Sequence, residues 1–213
     1  MSEKMLQQKA ADVFARLAET YPNATIELTF SNPLELLVAT VLSAQCTDRK
    51  VNEVTEHLFK KYRHPEDYVN VPAEELEKDI RPTGFYRQKA KSVRSTMQAL
   101  LDNYNGRVPD DLEALVELPG IGRKTANIIV GNAFGKPAIG VDTHVKRVSG
   151  RIGLAEGKTP DKIEKELSDL YPQKDWTRVS HVLTFHGRYT CTSKNPACEE
   201  CPVSDLCAYY QGT

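Results

Sequence analysis

The stretch Leu118-Pro119-Gly120-Ile121-Gly122-Arg123-Lys124-Thr125-Ala126 joins two apolar segments in the second half of the chain. Both segments carry apolar residues at helical spacing: Leu112, Leu115 and Val116 before the stretch, and Ala126, Ile128, Ile129 and Val130 after it. Gly120 and Gly122 allow the backbone to turn sharply and to approach a ligand closely. The pattern therefore predicts two helices joined by a tight hairpin.

The second helix of this hairpin begins inside the quoted stretch, so its unpaired N–H groups point towards whatever the turn faces. Such groups bind phosphate, and a contact to backbone phosphate does not depend on base sequence. The stretch lacks the glycine and lysine spacing and the preceding strand of a nucleotide-binding P-loop. The pattern favours a helix-hairpin-helix nucleic-acid motif. The alternative is an ordinary tight turn, because Gly-x-Gly alone is a weak indication.

Two ionisable residues near the hairpin are candidates for chemistry. Lys124 is predicted in the first turn of the second helix, where the positive end of the helix dipole favours the neutral amine that a nucleophile requires. Partial burial would act in the same direction. Asp142, in Gly140-Val141-Asp142-Thr143-His144-Val145, directly precedes another predicted helix. The plainer interpretations are a surface lysine and a helix N-cap. A capping aspartate is ionised and rigidly held, so its two roles are compatible.

Four of the five cysteines lie in one short run near the C-terminus: Cys191, Cys198, Cys201 and Cys207. Disulfides are a poor explanation, because the sequence shows no secretory leader and is expected in the cytosol, where thiols stay reduced. Structural zinc sites usually consist of two short cysteine pairs well apart, whereas iron–sulfur clusters also use four thiolates from one compact run. The spacing favours an iron–sulfur cluster and leaves zinc as the alternative. The fifth cysteine, Cys46, is predicted to be a packed small apolar residue.

Apolar residues recur at helical spacing through almost the whole chain. The run Leu34–Ala44 is nearly all apolar, which suits a buried helix and is short for a membrane span. No segment shows convincing alternation of apolar and polar residues. We therefore predict an all-α protein of about ten short helices. With 213 residues, the chain is long enough for one large domain or two small ones.

Charge is distributed unevenly along a chain whose formal net charge is only −1. Between Arg81 and Arg151, twelve lysines and arginines face six acidic residues, which leaves this region with a net charge of +6. A local basic face would suit a nucleic-acid partner. The alternative is that these charges solvate separate helix faces.

Three motifs occur in order along the chain: Leu118–Ala126, Val141–Val145 and the four-cysteine run. Together they closely resemble the endonuclease III family of helix-hairpin-helix DNA glycosylases. The resemblance covers nearly the whole chain and includes Leu42–Asp48 and Gly84–Tyr86.

The resemblance implies an all-α, helix-hairpin-helix DNA glycosylase fold with two domains. A six-helix domain with the hairpin would span residues 25–136. Residues 1–24 and 137–213 would form a second helical domain carrying an iron–sulfur loop. Lys124 and Asp142 would then face a DNA cleft from different domains.

The family's activity would make the chain a bifunctional DNA glycosylase and abasic-site lyase of base excision repair, with oxidised pyrimidines as the expected lesions. Lys124 would attack the sugar and form a Schiff base, while Asp142 would stabilise the cationic sugar and assist proton transfers. A [4Fe-4S] cluster would be held by Cys191, Cys198, Cys201 and Cys207. The residues expected to contact DNA are Gln45, Phe85, Gly120, Gly122, Arg123 and Lys194.

Gln45 and Phe85 would fill the space that a flipped base leaves in the duplex. Phe85 stands where the family usually has an aliphatic residue, and the plainer interpretation of Phe85 is a core aromatic. The cysteine loop carries only Lys194 between its first two cysteines, so Arg188 is an alternative phosphate contact.

The expected partner is damaged or abasic duplex DNA, bound by a monomer in the cytoplasm close to a bacterial-type nucleoid. Two other classes of function stay open: a DNA-binding module without catalysis, and a small electron carrier. Covalent trapping on DNA distinguishes a lyase from a DNA-binding module. Salt-dependent DNA affinity distinguishes it from an electron carrier.

Overall fold

The computed structural model describes residues 2–212, which form α-helices and short 3-10 turns and contain no β-strand. The predicted all-α class is therefore confirmed. The helices in chain order are α1 (Glu3–Thr20), α2 (Pro33–Leu42), α3 (Asp48–Lys61), α4 (Pro65–Asn70), α5 (Ala73–Ile80), α6 (Tyr86–Tyr104), α7 (Leu112–Val116), α8 (Arg123–Ala133), α9 (Thr143–Ile152), α10 (Pro160–Leu170), α11 (Trp176–Tyr189) and α12 (Ala208–Gln211). Within residues 2–212, no helix combines the length and the apolar character that crossing a bilayer requires.

Short polar side chains start many of these helices, because they accept hydrogen bonds from first-turn N–H groups that have no partner within the helix. Six such N-caps serve α1, α2, α3, α7, α9 and α10: Ser2, Asn32, Thr47, Asp111, Asp142 and Thr159. Proline in the first turn of α2, α4 and α10 adds a residue whose missing N–H would be unpaired there anyway. Local sequence thus sets where these helices begin.

The chain divides into two compact units. The hairpin unit, Glu27–Gly135, contains α2 to α8, and the cysteine unit joins α1, up to Ile26, to everything from Lys136 onward. The predicted boundaries, after residues 24 and 136, lie close to these divisions. That the two units are independent domains stays a prediction.

Helix α2 forms the centre of the hairpin unit. Every residue from Leu36 to Leu42 is buried, and the helix packs against α3, α6 and α8. Helix α6 in turn packs against α4 and α5, and its buried face includes Val93, Met97 and Leu100. Each buried methylene stabilises the folded unit by about 0.8 kcal/mol, so this apolar contact is its main stabilising term.

The cysteine unit is built on α11, which packs against α9 and α1. Its core contains Val13, Val148 and Val182 from these three helices. Cys191 and Cys207 belong to the same core, at 9% and 8% exposure. The first and last cysteines of the run are therefore part of the packed interior of this unit.

Candidate functional site

The predicted hairpin joins α7 to α8. Leu118 and Ile121 are buried, and the N–H of Ile121 donates to the carbonyl of Leu118 at 3.0 Å. Gly120 between them has φ +83°, and a Cβ there would lie 2.0 Å from Oγ of Ser92 on α6. A side chain at position 120 would thus meet both backbone strain and a steric clash.

A second residue of α6 holds the same turn. The hydroxyl of Thr96, which is buried, donates to the carbonyl of Pro119 at 2.6 Å. Ser92 and Thr96 lie four residues apart and so share one face of the helix. The hairpin is therefore built against α6, a contact that the apolar pattern of the sequence did not predict.

Gly122 forms the N-cap of α8 and differs from Gly120. Its φ is −90°, and a Cβ at this position would meet nothing within 4 Å. It offers no side-chain cap, and the first turn of α8 carries no acidic residue. The start of α8 therefore combines uncapped N–H groups with open space, the arrangement that binds an anion. Gly122 allows a ligand to approach the backbone closely, whereas Gly120 allows the turn itself to form.

Lys124 lies in the first turn of α8, as predicted, and its side chain is exposed, so partial burial does not add to the effect of the helix end. Neighbouring Arg123 makes an ion pair with Glu113 of α7, with 3.4 Å between Nη1 and Oε1. Such a pair between exposed groups contributes little stability, so Arg123 can easily exchange Glu113 for another anion. Two cations thus flank the uncapped start of α8.

Asp142 is the N-cap of α9, as the sequence predicted. Its Oδ1 accepts a hydrogen bond from the N–H of Val145 at 2.7 Å, and the residue is half-buried. The cap fixes the side chain at the end of a rigid helix. It uses one carboxylate oxygen and leaves Oδ2 for other partners.

Gln45 and Phe85 follow the same backbone pattern. Both have left-handed backbone, with φ of 51° and 46°, and both side chains are exposed, Phe85 at 66%. The interpretation of Phe85 as a core aromatic is therefore wrong. Left-handed φ costs a non-glycine residue about 1–2 kcal/mol, so the surrounding structure must impose it at both sites.

The four clustered cysteines line one partly open cavity, which is otherwise lined mainly by apolar atoms and by His186. Burial raises the pKa of the Cys201 thiol above its usual value. No three His, Cys, Asp or Glu side chains within residues 2–212 converge tightly enough to bind a single metal ion. Four soft thiol donors that line one cavity fit a metal centre bound by thiolates.

Two arginines of α9 tie the cysteine loop to the rest of its unit. Arg147 donates to the carbonyls of Cys191 and Gly187, at 3.1 and 2.7 Å. Arg151 donates to Cys191 Sγ at 3.4 Å and to the carbonyl of Thr192 at 2.7 Å. These contacts join residues 40 to 44 positions apart along the chain, and sequence analysis did not find them.

The remaining loop cations differ in exposure. Lys194 is exposed, whereas Arg188 is half-buried and burial lowers its pKa. A cation that is already partly desolvated and has partners inside the protein is a poorer phosphate contact. Of the two, Lys194 is the better placed to meet a ligand.

The basic region between Arg81 and Arg151 is smaller on the surface than its composition suggests. Lys89 is only 4% exposed, and Arg94 donates to the carbonyls of Tyr68 and Val71. Arg147 and Arg151 are used by the cysteine loop. The simple count of charges therefore overstates the basic surface, because several of these cations pair with backbone carbonyls.

Comparison with known proteins agrees with this geometry. Residues 38–173 match the model of the HhH-GPD superfamily of base excision DNA repair proteins, and residues 191–207 match the iron-sulfur binding domain of endonuclease III. The iron–sulfur prediction is thereby confirmed over zinc. Endonuclease III of Bacillus subtilis is 50% identical over 90% of this chain and 88% of its own length. Endonuclease III of Escherichia coli K12 is 42% identical over 96% of this chain and 97% of its own.

Solved structures give the same result for the fold. A trapped endonuclease III–DNA covalent intermediate has a TM-score of 0.93 and 47% identity, with 97% of both chains covered. A thermostable thymine-DNA glycosylase has a TM-score of 0.85 and 25% identity, covering 97% of this chain and 98% of its own. The hairpin, the capped aspartate and the thiol-lined cavity thus occur in a fold shared with these proteins, and the chain belongs to the endonuclease III family of the HhH-GPD superfamily.

Proposed function

We propose that this protein is a bifunctional DNA glycosylase and abasic-site lyase of base excision repair, and that it removes oxidised pyrimidines from duplex DNA. The observation that carries the proposal is the exposed amine of Lys124 in the first turn of α8, directly after a hairpin whose backbone is open to a phosphate. The likeness to a trapped covalent endonuclease III–DNA intermediate supports it, because trapping requires a nucleophile on the protein.

The reaction begins when the damaged nucleotide leaves the stack, since its sugar C1′ is out of reach within a duplex. The Lys124 amine attacks C1′, and the bond from C1′ to the base breaks with its electron pair leaving on the base. The attached amine loses a proton, and the sugar ring opens as the C1′–O4′ bond breaks with its electron pair leaving on O4′, which takes up a proton. The Schiff base formed in this way acidifies the C2′ proton. Loss of that proton expels the 3′ phosphate by β-elimination, which cuts the strand on the 3′ side.

Asp142 acts on the charge that this reaction creates. As the bond to the base breaks, positive charge develops on the sugar, and a carboxylate held in place stabilises it without reorganising. Its second oxygen is suited to accept and return protons in the later steps. The N-cap keeps Asp142 rigid throughout, since Oδ1 stays bonded to Val145.

The DNA contacts follow from the exposed residues of the hairpin unit. The N–H groups at Gly122, together with Arg123, bind a backbone phosphate and position the strand. Gln45 and Phe85 enter the duplex and occupy the space of the flipped base. Lys194 adds a phosphate contact from the cysteine loop.

The cofactor is a [4Fe-4S] cluster, and we propose Cys191, Cys198, Cys201 and Cys207 as its ligands. The cluster supplies a rigid centre of iron–thiolate bonds that folds the loop, since neither base excision nor β-elimination transfers a net electron. The thiols of the ligand loop suit a reducing compartment, and the substrate is DNA. We therefore infer a cytoplasmic location next to the nucleoid.

The ligand assignment predicts about four irons and four acid-labile sulfides per chain, with no stoichiometric zinc. Cys198→Ser is expected to lower the iron content of the purified protein, whereas Cys46→Ser, outside the cavity, should keep the full amount. Metal and sulfide analysis of the three proteins measures this. One zinc and no iron in the wild type would contradict the assignment.

Gly122→Ala tests the phosphate site without disturbing the fold, because the added methyl group meets no protein atom within 4 Å. We expect binding to damaged and undamaged duplex to weaken alike, by roughly 1 kcal/mol or about fivefold, since the lost contact reads no base. The slope of log affinity against log salt should also become shallower, by less than the value of about 0.9 that applies to a phosphate neutralised by a full charge.

Gly150→Ala is the matched control for this variant. Gly150 is exposed on α9, and a Cβ there would make only an ordinary contact at 3.9 Å. Its affinity and salt slope should equal those of the wild type. Normal binding by Gly122→Ala would reduce the hairpin to a simple turn.

The function itself is tested with a duplex that carries a single thymine glycol. We expect release of the base, a strand cut on the 3′ side and, when borohydride is added, a covalent protein–DNA adduct on a denaturing gel. Binding without an adduct or a cut would indicate a DNA-binding module instead. No salt-dependent binding would leave the electron carrier as the better description.

A further inference from the structure

Lys89 is a buried amine that the proposed chemistry does not use. It lies in the first turn of α6 and is 4% exposed. Its Nζ donates to the carbonyl of Leu42 at 2.8 Å and to the carbonyl of Thr83 at 2.7 Å. Neither partner is a carboxylate, so burial lowers the pKa of this lysine from its usual value. An apolar side chain would fill the same space without the cost of burying a charge.

The two carbonyls belong to the two loops that carry Gln45 and Phe85. Leu42 is the last residue of α2, three positions before Gln45, and Thr83 ends a 3-10 turn, two positions before Phe85. Both of these exposed residues have left-handed backbone. The ammonium group of Lys89 therefore donates hydrogen bonds to the backbone two or three residues before each of these exposed side chains.

We propose that Lys89 is a positioning residue, which holds the loops of Gln45 and Phe85 at a fixed separation so that both side chains enter the duplex together. This inference rests on the proposed function and adds a residue to it. A loop that is ordered before binding loses no further conformational freedom when its side chain enters the stack. Without Lys89, each loop would have to be ordered during extrusion of the base. The free energy needed to order the loops would slow the opening of the duplex and would leave the steps at C1′ unchanged.

The test compares Lys89→Met, which keeps the length of the side chain but removes the donors, with Lys60→Met. Lys60 is exposed on α3, so its variant controls for the loss of a cation. For a thymine glycol in a paired duplex, we expect Lys89→Met to slow single-turnover excision by about tenfold, which corresponds to roughly 1.4 kcal/mol. For the same lesion in a bulge, already out of the stack, its rate should stay within about twofold of the wild type, since little extrusion remains to be done.

Two further measurements separate positioning from a general loss of structure. Fluorescence of a 2-aminopurine next to the lesion should rise less on binding to Lys89→Met than on binding to the wild type, because the adjacent base stays stacked. Backbone hydrogen exchange of residues 43–46 and 84–86 should be faster in Lys89→Met, while exchange in α8 is unchanged. If Lys89→Met does not fold, Lys89→Gln, which keeps one donor group, takes its place with the same measurements.

Equal slowing on paired and bulged substrates would overturn the proposal, as would unchanged hydrogen exchange in the two loops. A wild-type protein that excises nothing from either substrate would instead refute the proposed function. Hydrogen exchange would still decide whether Lys89 orders the loops, because that measurement needs no DNA.

Discussion

Lys124→Gln is expected to lose all borohydride trapping on a thymine glycol duplex while keeping its affinity for damaged DNA within about tenfold, or roughly 1.4 kcal/mol. Glutamine has no nucleophilic amine, so no bond to C1′ and no Schiff base can form. The side chain is exposed in the first turn of α8, and its replacement disturbs no buried contact. Trapped adduct on a denaturing gel and a binding isotherm on the same duplex measure the two effects.

The matched control for Lys124 is Lys91→Gln. Lys91 is also an exposed lysine of the hairpin unit, on α6, and its variant should trap at the wild-type level. Undiminished trapping by Lys124→Gln would identify another amine as the nucleophile. Loss of both trapping and binding would make Lys124 a phosphate contact.

Asp142→Asn is expected to slow base excision by about a hundredfold with little change in DNA affinity, at the low end for a positioned charge or base. Asparagine caps a helix about as well as aspartate, so the hydrogen bond from Val145 is retained and α9 keeps its start. The variant therefore removes the negative charge and leaves the cap. Single-turnover excision and binding isotherms on one lesion duplex measure the result.

Asp111→Asn controls for this substitution, because Asp111 caps α7 in the same way, with Oδ1 accepting from Ala114 at 3.0 Å. It should excise at the wild-type rate. If Asp142→Asn keeps its rate as well, Asp142 is only a cap.

Features carried by neighbouring residues could be predicted from the sequence. The hairpin, the start of α8 and the cap at Asp142 follow from glycine placement, apolar spacing and short polar side chains. The four clustered cysteines indicated a shared centre by their spacing alone. Each of these depends on residues within a few positions of one another, where sequence and geometry are tightly linked.

Contacts between distant segments could not be predicted in this way. Lys89 bonds a carbonyl 47 residues away, and any residue type offers the same carbonyl to it. Its amine therefore looked like part of a basic surface when it is buried. The different roles of Gly120 and Gly122 likewise depend on Ser92, which lies against one glycine and not the other. Backbone partners leave no pattern in the side chains, so only the folded chain shows them.

The left-handed backbone at Gln45 and Phe85 has a consequence for engineering the range of lesions. A library at these two positions can vary exposed side chains without repacking a core. The same φ values restrict the residue types that the library can contain. β-Branched residues are poorly tolerated at positive φ, while asparagine, aspartate, histidine and glycine are accepted more readily. Valine, isoleucine and threonine should therefore be rare among folded library members, whatever lesion is used for selection.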